Sequence, residues 1–179
     1  MLWVVADPNV LVSGLISNSP NAPTKQLLYG IQEGEVVLVA SPHLLRELRA
    51  VLSRDKFRHW VSIDEAGAFV EELTVRAEIS KDRSDPPRAS RDRTDDYLVA
   101  LARDARAMLV SGDPDLAEDR ERERIQEEHD VEVLTPRRSW RSLGAVVESD
   151  KVETEGNKGS RPRCRLLERS DRYTRTGRP

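Results

Sequence analysis

The sequence predicts an α/β fold in which a parallel sheet is covered by helices on both faces. Two observations predict this fold. Short apolar segments alternate along the chain with longer amphipathic segments, as strands and helices do in α/β proteins. The short segments are also apolar at nearly every position, which is typical of strands buried on both faces, because half-exposed strands alternate polar and apolar residues.

The first half of the chain contains two predicted strands and the helices that connect them. Residues 2–6 (LWVVA) form the first strand, and a helix is predicted directly after it. A second helix ends near Gly34, and residues 36–40 (VVLVA) form the second strand. Ser41 begins a third helix, whose apolar residues recur at the spacing of one helical face: Leu44, Leu45, Leu48, Val51 and Leu52.

The second half continues the alternation of helices and strands. A fourth helix is predicted from Asp64 to Glu78, and Thr94 is predicted to cap the next one. Residues 108–110 (MLV) and 131–134 (VEVL) are the third and fourth strands. The highly charged residues 118–130 between these strands predict an exposed helix.

Charge divides the chain into two regions. The 29 Lys and Arg residues nearly balance the 32 Asp and Glu residues, giving a net charge of −3. Residues 151–179 hold 9 basic and 4 acidic side chains, which leaves 20 basic and 28 acidic side chains in residues 1–150. We predict a folded domain over residues 1–145 and a basic, disordered tail over residues 146–179. The tail either binds RNA weakly through the phosphate charges or is an inert extension.

Several classes of protein are excluded by composition. No apolar segment approaches the length of a membrane span, and the N-terminus lacks the features of a signal peptide. A single cysteine, Cys164, excludes a disulfide framework. The histidines share no zinc-ligand spacing with one another or with that cysteine. We therefore expect a cytoplasmic protein without a membrane partner or a zinc site.

Two acidic residues follow predicted strands in matching contexts. Asp7-Pro8 comes directly after the first strand, and Asp113-Pro114 follows the third strand closely. Ligands bind at the carboxyl ends of strands in open α/β sheets. Each Asp-Pro pair is also an ordinary helix start, with the carboxylate as the cap. Their recurrence at two strand ends favours a site.

Further acids are placed to join this site. Asp95 and Asp96 occupy the first turn of a predicted helix, and Glu47 lies at the margin of an apolar helix face. We expect four carboxylates to converge at one end of the sheet: Asp7, Glu47, Asp96 and Asp113. Four carboxylates placed together repel one another unless a cation is bound, and oxygen ligands select Mg²⁺ or Mn²⁺. These ions activate water and stabilise the leaving oxygen in phosphodiester hydrolysis.

Four segments in order resemble the motifs of the PIN-domain family, particularly its bacterial VapC-type toxins. The segments are residues 4–13 (VVADPNVLVS), 41–54 (SPHLLRELRAVLSR), 95–102 (DDYLVALA) and 109–116 (LVSGDPDL). The resemblance extends over about residues 2–140. It implies an α/β/α sandwich with a central, mostly parallel five-stranded sheet.

The resemblance also implies an activity and its residues. It implies a metal-dependent ribonuclease, the toxin of a toxin–antitoxin pair, that hydrolyses single-stranded or structured RNA. Carried over by position, Asp7, Glu47, Asp96 and Asp113 are the catalytic, metal-binding acids. Asp95 and Asp115 are then reserve ligands, while Asn9 and Ser111 orient carboxylates or water. Similar proteins form homodimers and are silenced by a small antitoxin protein.

Two departures from the family pattern leave alternatives open. Pro8 stands where the family usually has Thr, and Ser111 replaces another usual Thr. One alternative is therefore a catalytically degenerate PIN-like module that binds RNA or a protein. Another is an aspartyl-phosphate enzyme of the haloacid dehalogenase type with Asp7 as nucleophile, although Asn9 occupies the position where such enzymes have a second Asp.

Overall fold

The computed structural model describes residues 1–138, which contain a five-stranded parallel sheet flanked by helices. The strands are β1 (Leu2–Ala6), β2 (Val36–Ala40), β3 (Glu78–Ile79), β4 (Met108–Val110) and β5 (Val133–Leu134). The helices are α1 (Pro8–Ile16), α2 (Pro23–Glu33), α3 (Pro42–Leu52), α4 (Ile63–Arg76), α5 (Asp96–Ala105), α6 (Pro114–Ala117) and α7 (Asp119–His129). The predicted domain end at residue 145 and the predicted tail over 146–179 lie outside the described residues.

The sheet has the strand order β3-β2-β1-β4-β5, with β1 at its centre. Val4 is in register with Leu38 on one side and with Met108 on the other. All four strand pairings are parallel. The residues that follow the strands therefore share one edge of the sheet, the edge at which open α/β proteins bind ligands.

Both faces of the sheet are covered by apolar side chains from the helices. The strand residues Val5, Leu38 and Leu109 are fully buried, as the uniformly apolar strand segments predicted. Helix α1 packs against α2 and α3, and α3 packs against α4. Helix α5 contacts β1, β2, β4 and α7. The α/β/α sandwich predicted from the sequence is confirmed.

Three strand-to-helix connections at the carboxyl edge have the same local structure. After β1, β2 and β4, an N-cap residue is followed by a proline in the first helical turn: Asp7-Pro8, Ser41-Pro42 and Asp113-Pro114. Proline suits this position because it has no N–H to leave unpaired and its φ angle is already helical. Each cap side chain accepts a hydrogen bond from a backbone N–H of its helix. Two of these caps are therefore carboxylates fixed at the sheet edge.

Three local predictions differ from the structure. Helix α4 ends at Arg76, and Glu78 pairs with Val39 in the short strand β3 rather than ending the helix. The predicted cap role of Thr94 is wrong, since Thr94 lies within a 3₁₀ turn and Asp92 accepts its N–H at 2.9 Å. Helix α7 is not wholly exposed, because Ile125 is buried against the body. Within residues 1–138, no helix is both long and apolar enough to cross a lipid bilayer.

Candidate active site

Asp7 is the buried centre of the acidic edge. It follows β1, and its side chain is 4% exposed. One carboxylate oxygen accepts the backbone N–H of Asn9 at 2.7 Å, and the other accepts the hydroxyl of Ser111 at 2.7 Å. Burial raises the pKa of Asp7, the two hydrogen bonds oppose the rise, and the charges of Asp113 and Glu47 add to it.

Ser111 joins two acidic strand ends through one hydroxyl. The residue follows β4 and is fully buried. Its hydroxyl donates to Asp7 and accepts the backbone N–H of Asp113 at 3.0 Å. This contact orients the Asp7 carboxylate. Asn9 contributes its backbone N–H, while the residue itself is exposed.

Asp113 and Asp115 lie on the loop and helix that follow β4. Asp113 caps α6 by accepting the N–H of Asp115 at 2.9 Å, and it is half-buried. The carboxylate of Asp115 lies 4.0 Å from the guanidinium of Arg91. Asp115 is therefore paired, at the limit of an ion-pair distance, with a cation outside the acidic edge.

Glu47 reaches the site from α3 and meets Tyr97 of α5. The hydroxyl of Tyr97 donates to a carboxylate oxygen of Glu47. Burial raises the pKa of Tyr97, and its hydrogen bond to the negatively charged Glu47 raises that pKa further. Tyr97 remains a neutral hydrogen-bond donor. Tyr97 lies in the 95–102 motif, but the sequence does not indicate its role, because its contact with Glu47 depends on how α3 and α5 face each other.

The neighbouring acids Asp95 and Asp96 have different surroundings. Asp96 is 3% exposed, and one of its carboxylate oxygens accepts the N–H groups of Ala89 and Ser90, each at 2.8 Å. The hydroxyl of Ser90 approaches the same oxygen at 3.1 Å. Asp96, expected in the acidic quartet, thus fixes the preceding loop.

Asp95, expected as a reserve ligand, has a pKa that is raised by burial and by the charges of several neighbouring acids. Burial is the first cause that raises its pKa, to about 7. The charges of Asp7 and Asp113 are the next causes, followed by those of Asp92 and Glu47. The charges of Asp7, Glu47 and Asp113 thus all act on Asp95, and those of Glu47 and Asp113 also act on Asp7.

The donor set of this acidic cluster (Asp7, Glu47, Asp95 and Asp113) suits a hard divalent cation. Its side-chain donors are carboxylate oxygens, and burial together with mutual repulsion raises the pKa values of Asp7 and Asp95. A bound cation would relieve this repulsion. Across residues 1–138, no three Asp, Glu, His or Cys side chains are gathered closely enough to form a finished metal cage. The fit to a cation thus rests on donor chemistry and shared charge.

Charged residues of α7 support the loop that holds Asp96. Arg124 donates to the carbonyl of Ala89 at 2.8 Å and pairs with Glu121 at 2.7 Å. Arg91, in the same loop, pairs with Glu118 at 2.7 Å and with Glu121 at 3.1 Å. The charged helix is therefore a structural brace beside the site. Its sequence alone indicated only a solvated surface.

The fold and the site together define an α/β protein with an acidic cluster at the carboxyl edge of a parallel sheet. A family model described as a PIN domain matches residues 3–115. The chain therefore belongs to the PIN-domain family, whose members are generally nucleases. No curated protein matches the chain at a significant level.

Two solved structures are similar to this chain in fold. One is the crystal structure of VapBC2 from Rickettsia felis bound to a DNA fragment from the VapBC2 promoter. That match has 13% identity and a TM-score of 0.51, and it covers 75% of this chain and 98% of the other. The other is a PilT N-terminus domain protein from the hyperthermophilic archaeon Sulfolobus solfataricus P2, with 12% identity and a TM-score of 0.46. That match covers 88% of this chain and 99% of the other.

Proposed function

We propose that this protein is a metal-dependent endoribonuclease and the toxin component of a toxin–antitoxin pair. The observation that carries the proposal is the shared electrostatics of four acids from separate elements at one sheet edge. Asp7 and Asp95 both have raised pKa values because each is buried beside the other acids. A protein keeps such a repulsive group at a cost in stability, and perturbed carboxylates of this kind mark functional sites.

Asp7, Glu47, Asp95 and Asp113 would hold Mg²⁺ or Mn²⁺, with Asp95 taking the place first given to Asp96. A bound ion of this kind activates water and stabilises the leaving oxygen of a phosphodiester. Ser111 holds the Asp7 carboxylate in position through its hydroxyl. Tyr97 does the same for Glu47. Asp115, which has one oxygen 4.0 Å from Arg91, would serve as an outer ligand.

Asp7 has hydrogen-bond donors although Pro8 stands where the family usually has Thr. Pro8 has no hydroxyl to offer, but both oxygens of Asp7 already accept hydrogen bonds, from Asn9 and Ser111. Ser111 thus keeps one of the two hydroxyls that the family pattern provides. We therefore favour an active nuclease over a degenerate module.

The partners follow from the same proposal. A VapC-type toxin would be silenced by a small antitoxin, and the fold match to a VapBC2 structure makes this the partner to look for. We further propose a homodimer that works on RNA in the cytoplasm. The reading frame beside the gene is the first candidate for the antitoxin. Size-exclusion chromatography with light scattering would test the dimer.

Incubation of purified protein with single-stranded RNA tests the activity. RNA should be cut with Mn²⁺ or Mg²⁺ and remain intact with EDTA, and Asp7→Asn should remove cleavage. An exposed acid off the site, Asp119, provides the matched control Asp119→Asn, which should cut at the wild-type rate. RNA that binds without metal and is never cut would instead identify the degenerate binding module.

A further inference from the structure

A cavity of about 350 Å³ lies beside the acidic cluster and is not used by the chemistry above. Its volume is within the range of small-molecule and cofactor sites. The walls come from the start of α3, the 3₁₀ turn before α5 together with the first turn of α5, and the segment that contains residues 82–84 and 86. They combine two aromatic rings, His43 and Tyr97, with two cations, Arg83 and Arg93.

Tyr97 connects this cavity to the acidic cluster. Its side chain lines the cavity, while its hydroxyl donates to Glu47. Thr94 lines the cavity too and directly precedes Asp95 in the chain. A molecule held in the cavity is therefore one side chain away from the proposed metal-binding acids.

The two rings pack against each other, so that Tyr97 supports the exposed ring of His43, on which a flat ligand can stack. The ring centroids of His43 and Tyr97 are 4.3 Å apart, with the planes tilted by 54°. The backbone N–H of His43 donates to Asp82 at 2.9 Å, which fixes the start of α3 and occupies one oxygen of the Asp82 carboxylate. Aromatic and histidine rings stack unpaired bases in proteins that bind single-stranded nucleic acid.

The two arginines differ in their freedom to bind a ligand. Arg83 is held by a two-point contact with Asp104, at 2.5 and 2.9 Å. Arg93 is exposed and makes no ion pair with any acid in the part of the chain that the structure describes. A guanidinium without a carboxylate partner beside an aromatic surface is suited to a phosphate group.

We propose that this cavity is a nucleotide-binding subsite for single-stranded RNA. An unpaired base stacks on His43, whose ring is supported by Tyr97, and Arg93 contacts a neighbouring phosphate. The inference rests on the proposed ribonuclease function and deepens it, since it names the substrate as an unpaired nucleotide next to the bond that is cut. Paired bases do not reach the rings, so a duplex is a poor ligand.

Binding without cleavage tests the subsite directly. A fluorescein-labelled RNA hexamer is titrated with protein in EDTA, and anisotropy reports the dissociation constant. His43→Ala should weaken binding at least about fivefold, because it removes the ring on which a base stacks. Arg93→Ala should weaken binding by a similar factor, because it removes a phosphate contact. His43→Phe keeps a ring and should restore binding. Arg120→Ala changes the charge equally on an exposed part of α7 and should stay within about twofold of wild type.

Equal affinity of wild type, His43→Ala and Arg93→Ala for the hexamer overturns the inference. The cavity would then not bind RNA, and an antitoxin segment would be an alternative occupant. Equal affinity for the hexamer and for a duplex of the same sequence overturns it as well. Thermal unfolding of each variant checks that the exposed substitutions leave the fold intact.

Cleavage with Mn²⁺ provides a second test that separates the two proposals. Each base of the RNA is removed in turn to leave an abasic sugar. For wild type, one position near the cut should lower the rate at least about fivefold, and His43→Ala should show no further loss there. Position-independent rates would contradict the subsite alone. Base-dependent binding with no cleavage of any RNA would support the subsite and contradict the ribonuclease.

Discussion

The carboxylate of Asp7 and the hydroxyl of Ser111 are 2.7 Å apart although 104 positions separate them in the chain. The parallel pairing of β1 with β4 makes this contact, since Ala6 and Val110 are register partners. The same hydroxyl accepts the backbone N–H of Asp113. One neutral side chain thus orients Asp7 and the loop that carries Asp113 before any cation binds.

Ser111→Ala should lower both stability and activity. The change leaves the part-buried N–H of Asp113 without its acceptor and removes a donor from the buried Asp7, so we expect a loss of about 1–3 kcal/mol in the free energy of unfolding. Cleavage should slow at least about tenfold. Urea unfolding and RNA cleavage rates measure the two effects. Ser111→Thr keeps the hydroxyl and is the matched control; wild-type behaviour of the Ala variant in both assays would contradict the role given to Ser111.

Asp95 should make the metal-free protein less stable as pH rises from about 4 to about 7. Its pKa is raised in the folded state to about 7, from an ordinary value of 3.8. The folded state therefore binds more protons than the unfolded state in this window, and protonation favours folding. Asp95→Asn lacks this effect. Because Asp95 is half-exposed, we expect the variant to gain only about 1 kcal/mol over wild type at pH 7.5.

Thermal unfolding in EDTA at pH 4.5 and pH 7.5 measures this difference. The gain in melting temperature from Asp95→Asn should be present at pH 7.5 and nearly absent at pH 4.5. A gain of equal size at both pH values, or a loss at pH 7.5, would show that repulsion within the acidic cluster does not act on Asp95.

Asp96→Ala should destabilise the fold more than Asp95→Ala. The substitution leaves the N–H groups of Ala89 and Ser90 without their shared acceptor. We expect a loss of about 3 kcal/mol in the free energy of unfolding, because both donors are buried. Asp96→Asn keeps an oxygen acceptor and should lose less. Urea denaturation ranks the three variants by their free energy of unfolding. An Asp95→Ala variant less stable than Asp96→Ala would contradict the structural role given to Asp96.

Arg124→Ala should loosen the loop that Asp96 holds. Arg124 donates to Ala89 and pairs with Glu121, so its loss frees the carbonyl of Ala89. We expect about 1–2 kcal/mol lower stability and faster amide hydrogen exchange at Ala89 and Ser90. Arg120→Ala removes an exposed arginine from the same helix and serves as control. Unchanged exchange at both amides would show that α7 does not brace the loop.

Apolar patterning predicted most of the fold because it reports burial directly. The segments at β1, β2 and β4 are apolar almost throughout, and the structure buries them between helices. Strand β3 was not predicted from the apolar pattern, because both of its residues, Glu78 and Ile79, are exposed at the sheet edge. Only its pairing with β2 makes it a strand, and pairing has no signature in two residues.

The acids of the site were easier to find than to rank. Asp7 and Asp113 were predicted at the sheet edge because each ends a strand-to-helix connection. Asp95 and Asp96 are neighbours in sequence, so no spacing distinguishes them. Their surroundings differ because Ala89 and Ser90 fold back onto Asp96, and that contact depends on the conformation of a loop.

The cleavage rate of Asp95→Asn on single-stranded RNA at saturating Mn²⁺ tests the central claim most directly. We expect a rate at least about 100-fold below that of wild type, while Asp119→Asn cuts at the wild-type rate, because Asp95 belongs to the acidic cluster and Asp119 does not. A folded Asp95→Asn variant that cuts RNA within about twofold of wild type would contradict the account.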